Sequence, residues 1–154
     1  MRVAFDLDDT LIPTTVEFAG GSTTLPMPMR LFFREPLRNG ARELLADISR
    51  THELWLYTTS LRHPIYLKLW FKFLGIPLAG AINQDSHQRT IRNASQHSGY
   101  SKVPQLFNID LLVDDSPGVA IECELQGCAA LIVDPSDLKW SDRVRSKLEL
   151  DQRE

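Results

Sequence analysis

Short apolar runs alternate along this chain with longer stretches in which apolar residues recur every three or four positions. Val3-Ala4-Phe5 is the first run, and its unbroken apolar character predicts a buried strand. Leu54-Trp55-Leu56-Tyr57, behind Glu53, predicts a second and central strand. A weaker run over residues 78–82, a compact one at Leu111-Leu112-Val113 and a last one over residues 129–133 predict three more. Between the runs the helical period takes over. Ala41, Leu44, Leu45 and Ile48 fall at i, i+3, i+4 and i+7, which predicts a helix within residues 36–50, with Asn39 as its N-cap and Arg50 in its last turn. Pro64 opens the next helix, with Ile65, Leu69, Trp70, Phe73 and Leu74 as its apolar face and Gly75 and Pro77 as its stop. Ser101 caps a short helix. Ser116 and Pro117 start another, lined by Val119, Ile121 and Leu125 and ended by Gly127. Ser141 caps a last one carrying Val144 and Leu148, before a frayed tail over residues 151–154.

Two stretches leave this rhythm. In residues 12–34, Gly20-Gly21-Ser22 lies between Thr14–Phe18 and Thr23–Leu25 and predicts a β-hairpin flap, which Pro26 and Pro28 break off. Phe18, Leu25 and Met27 are expected to be exposed there as a contact surface. Residues 83–100 are polar, with Gln84, His87, Gln88, Arg89, Arg92, Asn93, Gln96 and His97, and read as a short helix plus loop. The alternation as a whole predicts one α/β domain over residues 1–154, a Rossmann-like parallel sheet of about five strands with helices on both faces.

Composition narrows the partners more than the fold. The 154 residues suit a single core, and 43% apolar with 24% charged residues is ordinary for a globular protein. A net charge of −3 argues against holding nucleic acid by bulk charge and leaves only a local basic patch for that purpose. The first strand starts at residue 2, which leaves no room for a signal peptide, and no apolar run is long enough to span a bilayer. The expected location is therefore cytoplasmic, without a membrane partner. Cys123 and Cys128 lack ligand spacing and are expected to be reduced core residues.

The candidate chemistry sits at strand ends. In a parallel sheet, ligands bind outside the carboxyl ends of the strands. Asp6 and Asp8 follow the first strand, Thr58 and Thr59 the second, and Asp114 and Asp115 the strand at 111–113. Each alone reads as a polar turn. Three such ends together are a site. Four carboxylates brought together call for a cation. Oxygen ligands without His or Cys indicate a hard cation such as Mg²⁺ rather than zinc. Other polar residues have plainer readings: His63 as a cap or surface group with a substrate contact as the alternative, His87 and His97 as solvated loop histidines, and Arg62, Arg89 and Arg92 as solvated charges with a second phosphate or a nucleic-acid backbone as the alternative. Trp55, Trp70 and Phe71 read as core.

Asp6-Leu7-Asp8-Asp9-Thr10 after an apolar strand, Thr58 closing the next strand, Lys102 at a helix start and Leu112-Val113-Asp114-Asp115-Ser116 occur in an order that resembles the haloacid dehalogenase superfamily of phosphohydrolases. The resemblance spans residues 2 to about 134. It implies a Mg²⁺-dependent phosphatase in which Asp6 attacks phosphorus and forms an aspartyl-phosphate, and Asp8 acts as general acid and then base. Thr58, or Thr59 in its place, and Lys102 would hold the phosphoryl group. Asp6, the backbone carbonyl of Asp8 and Asp114 would bind the metal, with Asp115 either a ligand through water or a partner of Lys102. The second Asp favours phosphate chemistry over dehalogenation, because a halide leaves without a proton. Neither insertion site holds a cap domain, which implies an open site and a phosphorylated substrate that is large, or a partner subunit that closes the cleft. The alternatives are a non-catalytic phosphate-binding or regulatory module, a phosphatase specific for nucleic-acid ends or phosphoproteins, and a phosphotransferase.

Overall fold

The computed structural model describes residues 1–92 and 99–151. The expectations for Asn93, Gln96, His97 and the tail beyond residue 151 lie outside the described residues. Strands β1 (Arg2–Phe5), β4 (Glu53–Tyr57), β5 (Gly80–Ile82), β6 (Leu111–Asp114) and β7 (Ala129–Ile132) form one sheet in the order β5-β4-β1-β6-β7. All its pairings are parallel. The chain moves outward from β1 to β4 and β5, then crosses back to place β6 and β7 on the other side of β1. The strand order therefore reverses at β1 and β6, where an open α/β sheet leaves its ligand crevice.

Helices α1 (Ala41–Thr51), α2 (Pro64–Phe73), α3 (Gln84–Ile91), α4 (Pro117–Gln126) and α5 (Trp140–Asp151) cover the sheet. Strand residues alternate between two cores, as the two-residue period requires. Val3, Phe5, Leu54, Leu56, Leu111 and Val113 join the cluster with Leu44, Leu45, Trp70, Phe71 and Val144 from α1, α2 and α5. Ala4, Tyr57 and Leu112 join the one with Val119 and Cys123 from α4. Gly80 lies beside Trp55, and a Cβ there would fall 2.2 Å from the indole ring, so the ring packs where a larger residue cannot stand.

Several local expectations are corrected. Thr14–Phe18 forms no strand. The turn at 18–21 is present, with Gly21 N–H donating to Phe18 O at 2.9 Å, but the two-stranded antiparallel ribbon pairs β2 (Ser22–Thr23) with β3 (Leu37–Arg38). Residues expected at the start of the first helix are thereby drawn into the ribbon. Helix α1 begins at Ala41 after Gly40, whose φ of 82° is open to glycine at little cost. Asn39 instead donates to Gly20 O at 2.7 Å and accepts from the Thr23 hydroxyl at 2.6 Å. In α2, Leu67, Trp70 and Phe71 face the core while Ile65, Leu69 and Phe73 are exposed. In α4, Ile121 and Leu125 are likewise exposed, and Val119 and Cys123 are buried. Both helices carry apolar residues on more than one side, so periodicity could not choose the buried face. Phe18 and Leu25 are buried, and Val16, Met27, Leu31 and Phe32 are the large exposed apolar residues of the flap. Ser141 lies inside the first turn of α5 rather than before it.

Candidate active site

The β1–α1 connection begins with a tight turn. Leu11 and Ile12 both donate backbone N–H groups to Leu7 O, at 3.0 and 2.9 Å, and Asp9 N–H donates to Ile12 O at 2.7 Å. Asp9 takes a φ of 59°, a left-handed conformation that Asp tolerates better than most side chains. Its carboxylate accepts from the backbone N–H groups of Thr14, Thr15 and Val16 at 2.8, 2.8 and 3.2 Å. Burial raises the Asp9 carboxyl, but these bonds and that from the Thr15 hydroxyl outweigh it and hold the group below its ordinary range. Asp9 thus launches the flap and leaves its two neighbours, Asp6 and Asp8, for the cleft.

Asp6 extends the sheet by one step, its N–H donating to Val113 O at 2.8 Å. That ladder places its carboxylate beside Asp114 at the end of β6. One oxygen each from Asp6, Asp114 and Asp115 lies within 4.8 Å of the others. Lys102 Nζ donates to Asp6 Oδ1 and to Asp114 Oδ2, at 2.5 Å each. Asp114 is fixed from its other oxygen by Ser116 N–H at 2.9 Å. Asp115 does not hold Lys102. It accepts from the buried Thr10 hydroxyl at 3.1 Å, which ties the turn after β1 to the end of β6.

Lys102 is held from behind by its own backbone. Gln126 Nε2 donates to Lys102 O at 3.0 Å, Tyr57 Oη accepts from Val103 N–H at 2.9 Å, and the Glu122 carboxylate accepts from Ser101 N–H at 3.0 Å and its hydroxyl at 2.6 Å. Ser101 is therefore bound to α4 rather than capping a helix, and the short 3-10 turn that follows runs Pro104–Phe107. Tyr57 Oη also lies 2.6 Å from His87 Nδ1. His87 is buried, which corrects the expectation of a solvated loop histidine, and burial lowers its pKa.

Burial is nearly complete for the inner group. The Lys102, Asp6 and Asp114 side chains are 3%, 8% and 2% exposed. Loss of water pushes the Asp6 carboxyl up to about 7; the Lys102 charge opposes the rise and the Asp114 charge adds to it. For Lys102, burial acts to lower the pKa, but the Asp6 and Asp114 charges outweigh it and raise it. Burial, then the neighbouring Asp114 charge, also raises the Asp115 carboxyl.

Asp8 stands outside this trio. Its carboxylate accepts from the Thr14 hydroxyl at 2.8 Å, the Thr58 hydroxyl at 3.0 Å and Arg62 Nη1 at 3.0 and 3.1 Å. Thr58 is fully buried at the end of β4 and Thr59 is exposed, so Thr58 is the hydroxyl brought to the cleft. Arg62, expected to be a solvated charge, is half-buried and also grips Glu35 through Nε at 3.2 Å and Nη2 at 2.5 Å. Glu35 was not singled out by its sequence context, since nothing local marks an acid whose partner is 27 residues away. His63 does cap α2, accepting from Ile65 N–H at 3.2 Å.

The three clustered carboxylates offer only hard oxygen donors, a set that could hold a hard metal cation. A separate hollow of about 470 Å³ lies at the amino end of the sheet, but its acids Glu53 and Asp110 are already bonded to Arg2 at 2.8 and 2.6 Å. Among the described residues, no helix is long and apolar enough to cross a membrane. No family model and no curated protein matches the chain.

Proposed function

We propose that this protein is a Mg²⁺-dependent phosphatase of the haloacid dehalogenase type, acting on phosphomonoesters through an aspartyl-phosphate. The observation that carries the reading is the Lys102 ammonium bridging Asp6 and Asp114 beside Asp115, where the strand order reverses. Asp6, Asp114 and Asp115, with the backbone carbonyl of Asp8, would hold the cation. Mg²⁺ bound there would offset the charge of an incoming phosphate.

Asp6 attacks phosphorus as a carboxylate. Lys102 engages Asp6 Oδ1, which leaves Oδ2 to form the new bond, and its charge favours the ionised nucleophile. Asp8 would enter this step carrying a proton, with one oxygen released from its donors, and would pass that proton to the leaving oxygen as the phosphorus–oxygen bond breaks. Asp8 then takes a proton from water, whose oxygen attacks phosphorus and releases phosphate from Asp6. The Thr58 hydroxyl, which donates to Asp8 here, would turn its one proton to a phosphoryl oxygen when substrate binds, leaving Arg62 and Thr14 on Asp8. Lys102 also balances the charge of the transferring group in a site where burial strengthens it.

Hydrolysis of p-nitrophenyl phosphate with and without Mg²⁺, beside the Asp6→Asn variant, tests the reading. Activity that needs Mg²⁺ and is absent from the variant is expected. Activity that survives Asp6→Asn would overturn the aspartyl-phosphate mechanism. A rival reading, a phosphate-binding module without turnover, draws on the Asp8 carboxylate being fully engaged by Arg62, Thr58 and Thr14. Phosphate binding without hydrolysis would favour it.

A further inference from the structure

The engagement of Asp8 has a second side. Arg62 donates from Nη1 to both oxygens of Asp8, and from Nε and Nη2 to the two oxygens of Glu35. One planar guanidinium thus lies between two carboxylates and fixes each through both of its oxygens. Thr14, from the flap, completes the hold on Asp8, and Thr58, from the end of β4, adds to it until a phosphoryl oxygen takes its proton. A carboxylate held by Arg62 through both oxygens and by Thr14 from the flap keeps one rotamer. Arg62 itself belongs to the loop between β4 and α2, and Glu35 to the segment between the flap and β3.

From this geometry we infer that Arg62 is a positioning residue for the reaction, holding the Asp8 carboxylate at the cleft for proton transfer, and that Glu35 aims Arg62. The inference rests on the phosphatase reading above. It assigns to side chains within this single domain the work of placing Asp8. A solvated Arg62 would have no such part, and an Arg62 that only tethered the flap through Glu35 would have no need of its bonds to Asp8.

The two roles separate by leaving group. p-Nitrophenolate departs without help from an acid, whereas an alkoxide needs a proton as the bond breaks. The value of kcat/KM reports formation of the aspartyl-phosphate alone, up to release of the leaving group. For Arg62→Ala, kcat/KM is expected to fall by roughly 10- to 100-fold on an alkyl phosphate such as glycerol 2-phosphate, and by less than about 3-fold on p-nitrophenyl phosphate. On the nitrophenyl substrate kcat is expected to fall with KM, because Asp8 also activates the water of the second step. Arg62→Lys keeps the charge without the fork and should recover only part of the loss. Glu35→Gln should shift the same ratio in the same direction by less.

Equal losses on both substrates, with or without a lowered melting temperature, would overturn the inference and make Arg62 a fold or phosphate-binding residue. Full recovery by Arg62→Lys would overturn the fork. In an Asp8→Asn background, Arg62→Ala should add little, and full additivity would also overturn it. Failure of the phosphatase reading is distinguishable, since it is seen in the unsubstituted protein as absence of Mg²⁺-dependent turnover on both substrates.

Discussion

Two ion clusters lie at the same end of the sheet and differ in depth. The inner one joins Lys102 to Asp6 and Asp114 with side chains 2–8% exposed. The outer one joins Arg62 to Asp8 and Glu35 with side chains 23–34% exposed. Both are built from short bonds between opposite charges. Their energetic meaning is opposite. Water still screens the outer pairs, so each adds little to stability and its value lies in direction. The inner charges have lost their water, and removing one partner strands the others at a cost of several kcal/mol. Once Asp6 is ionised, the inner cluster holds two negative charges to one positive, before Asp115 is counted. This excess of negative charge is unfavourable in the bare fold and favourable to a cation.

The comparison breaks most sharply at Lys102. Lys102→Met leaves Asp6 and Asp114 facing each other without a counter-charge. Urea denaturation at neutral pH without divalent cations should show a loss of about 3–5 kcal/mol, and turnover should fall to background. Mg²⁺ should restore part of the stability and none of the turnover. A variant as stable as the parent would mean that the buried acids do not need the Lys102 charge.

A second test uses pH. The Asp6 carboxyl is raised from 3.8 to about 7, so the folded protein holds this proton more tightly than the unfolded chain. Its contribution to stability is complete below about 4 and is lost as pH rises through about 7. Subtracting the stability profile of Asp6→Asn from that of the parent, both free of divalent cations, should isolate a decline across this window. A flat difference would mean that Asp6 is ionised throughout. For the same reason Mg²⁺ affinity, followed by calorimetry, should rise with pH up to about 7 and then level off.

Tyr57 probes the support of the inner cluster. Tyr57→Phe removes the acceptor of Val103 N–H and the partner of His87, both buried. A loss of about 1–3 kcal/mol is expected in thermal or urea unfolding, with a smaller loss of turnover because Lys102 stays attached through Gln126. The smallest effect belongs to the outer cluster. Glu35→Ala should cost less than about 1 kcal/mol and less still in high salt, while shifting the leaving-group ratio. A large, salt-independent loss would make the outer pair an extension of the inner one.

Much of this arrangement was legible in the chain. The strand runs at Val3–Phe5, Leu54–Tyr57 and Leu111–Val113 fall in the observed sheet because a buried parallel strand must be apolar on both faces. The acids and hydroxyl after these strands, Asp6, Thr58 and Asp114, gather because the strand ends do. Illegible were the contacts that join side chains across elements. Arg62 and Glu35 look like any loop charges until β4 and the flap are brought together. Nothing local marks Arg38, which is buried under the Phe18 and Trp140 rings and donates to Asp134 O and Asp137 O, at 2.8 and 3.1 Å.

The sequence by itself determined the alternation of strands and helices and which strand ends carry charge, since both follow from local periodicity and from the chain passing once through each element. Only the tertiary structure decided which face of α2 and α4 is buried, that the ribbon pairs Ser22–Thr23 with Leu37–Arg38, and that the acids divide into a dry inner pair with half-buried Asp115 beside it and a wetter outer pair. Burial and charge pairing depend on what stands opposite each residue, and that is fixed by the order β5-β4-β1-β6-β7 rather than by any neighbour along the chain.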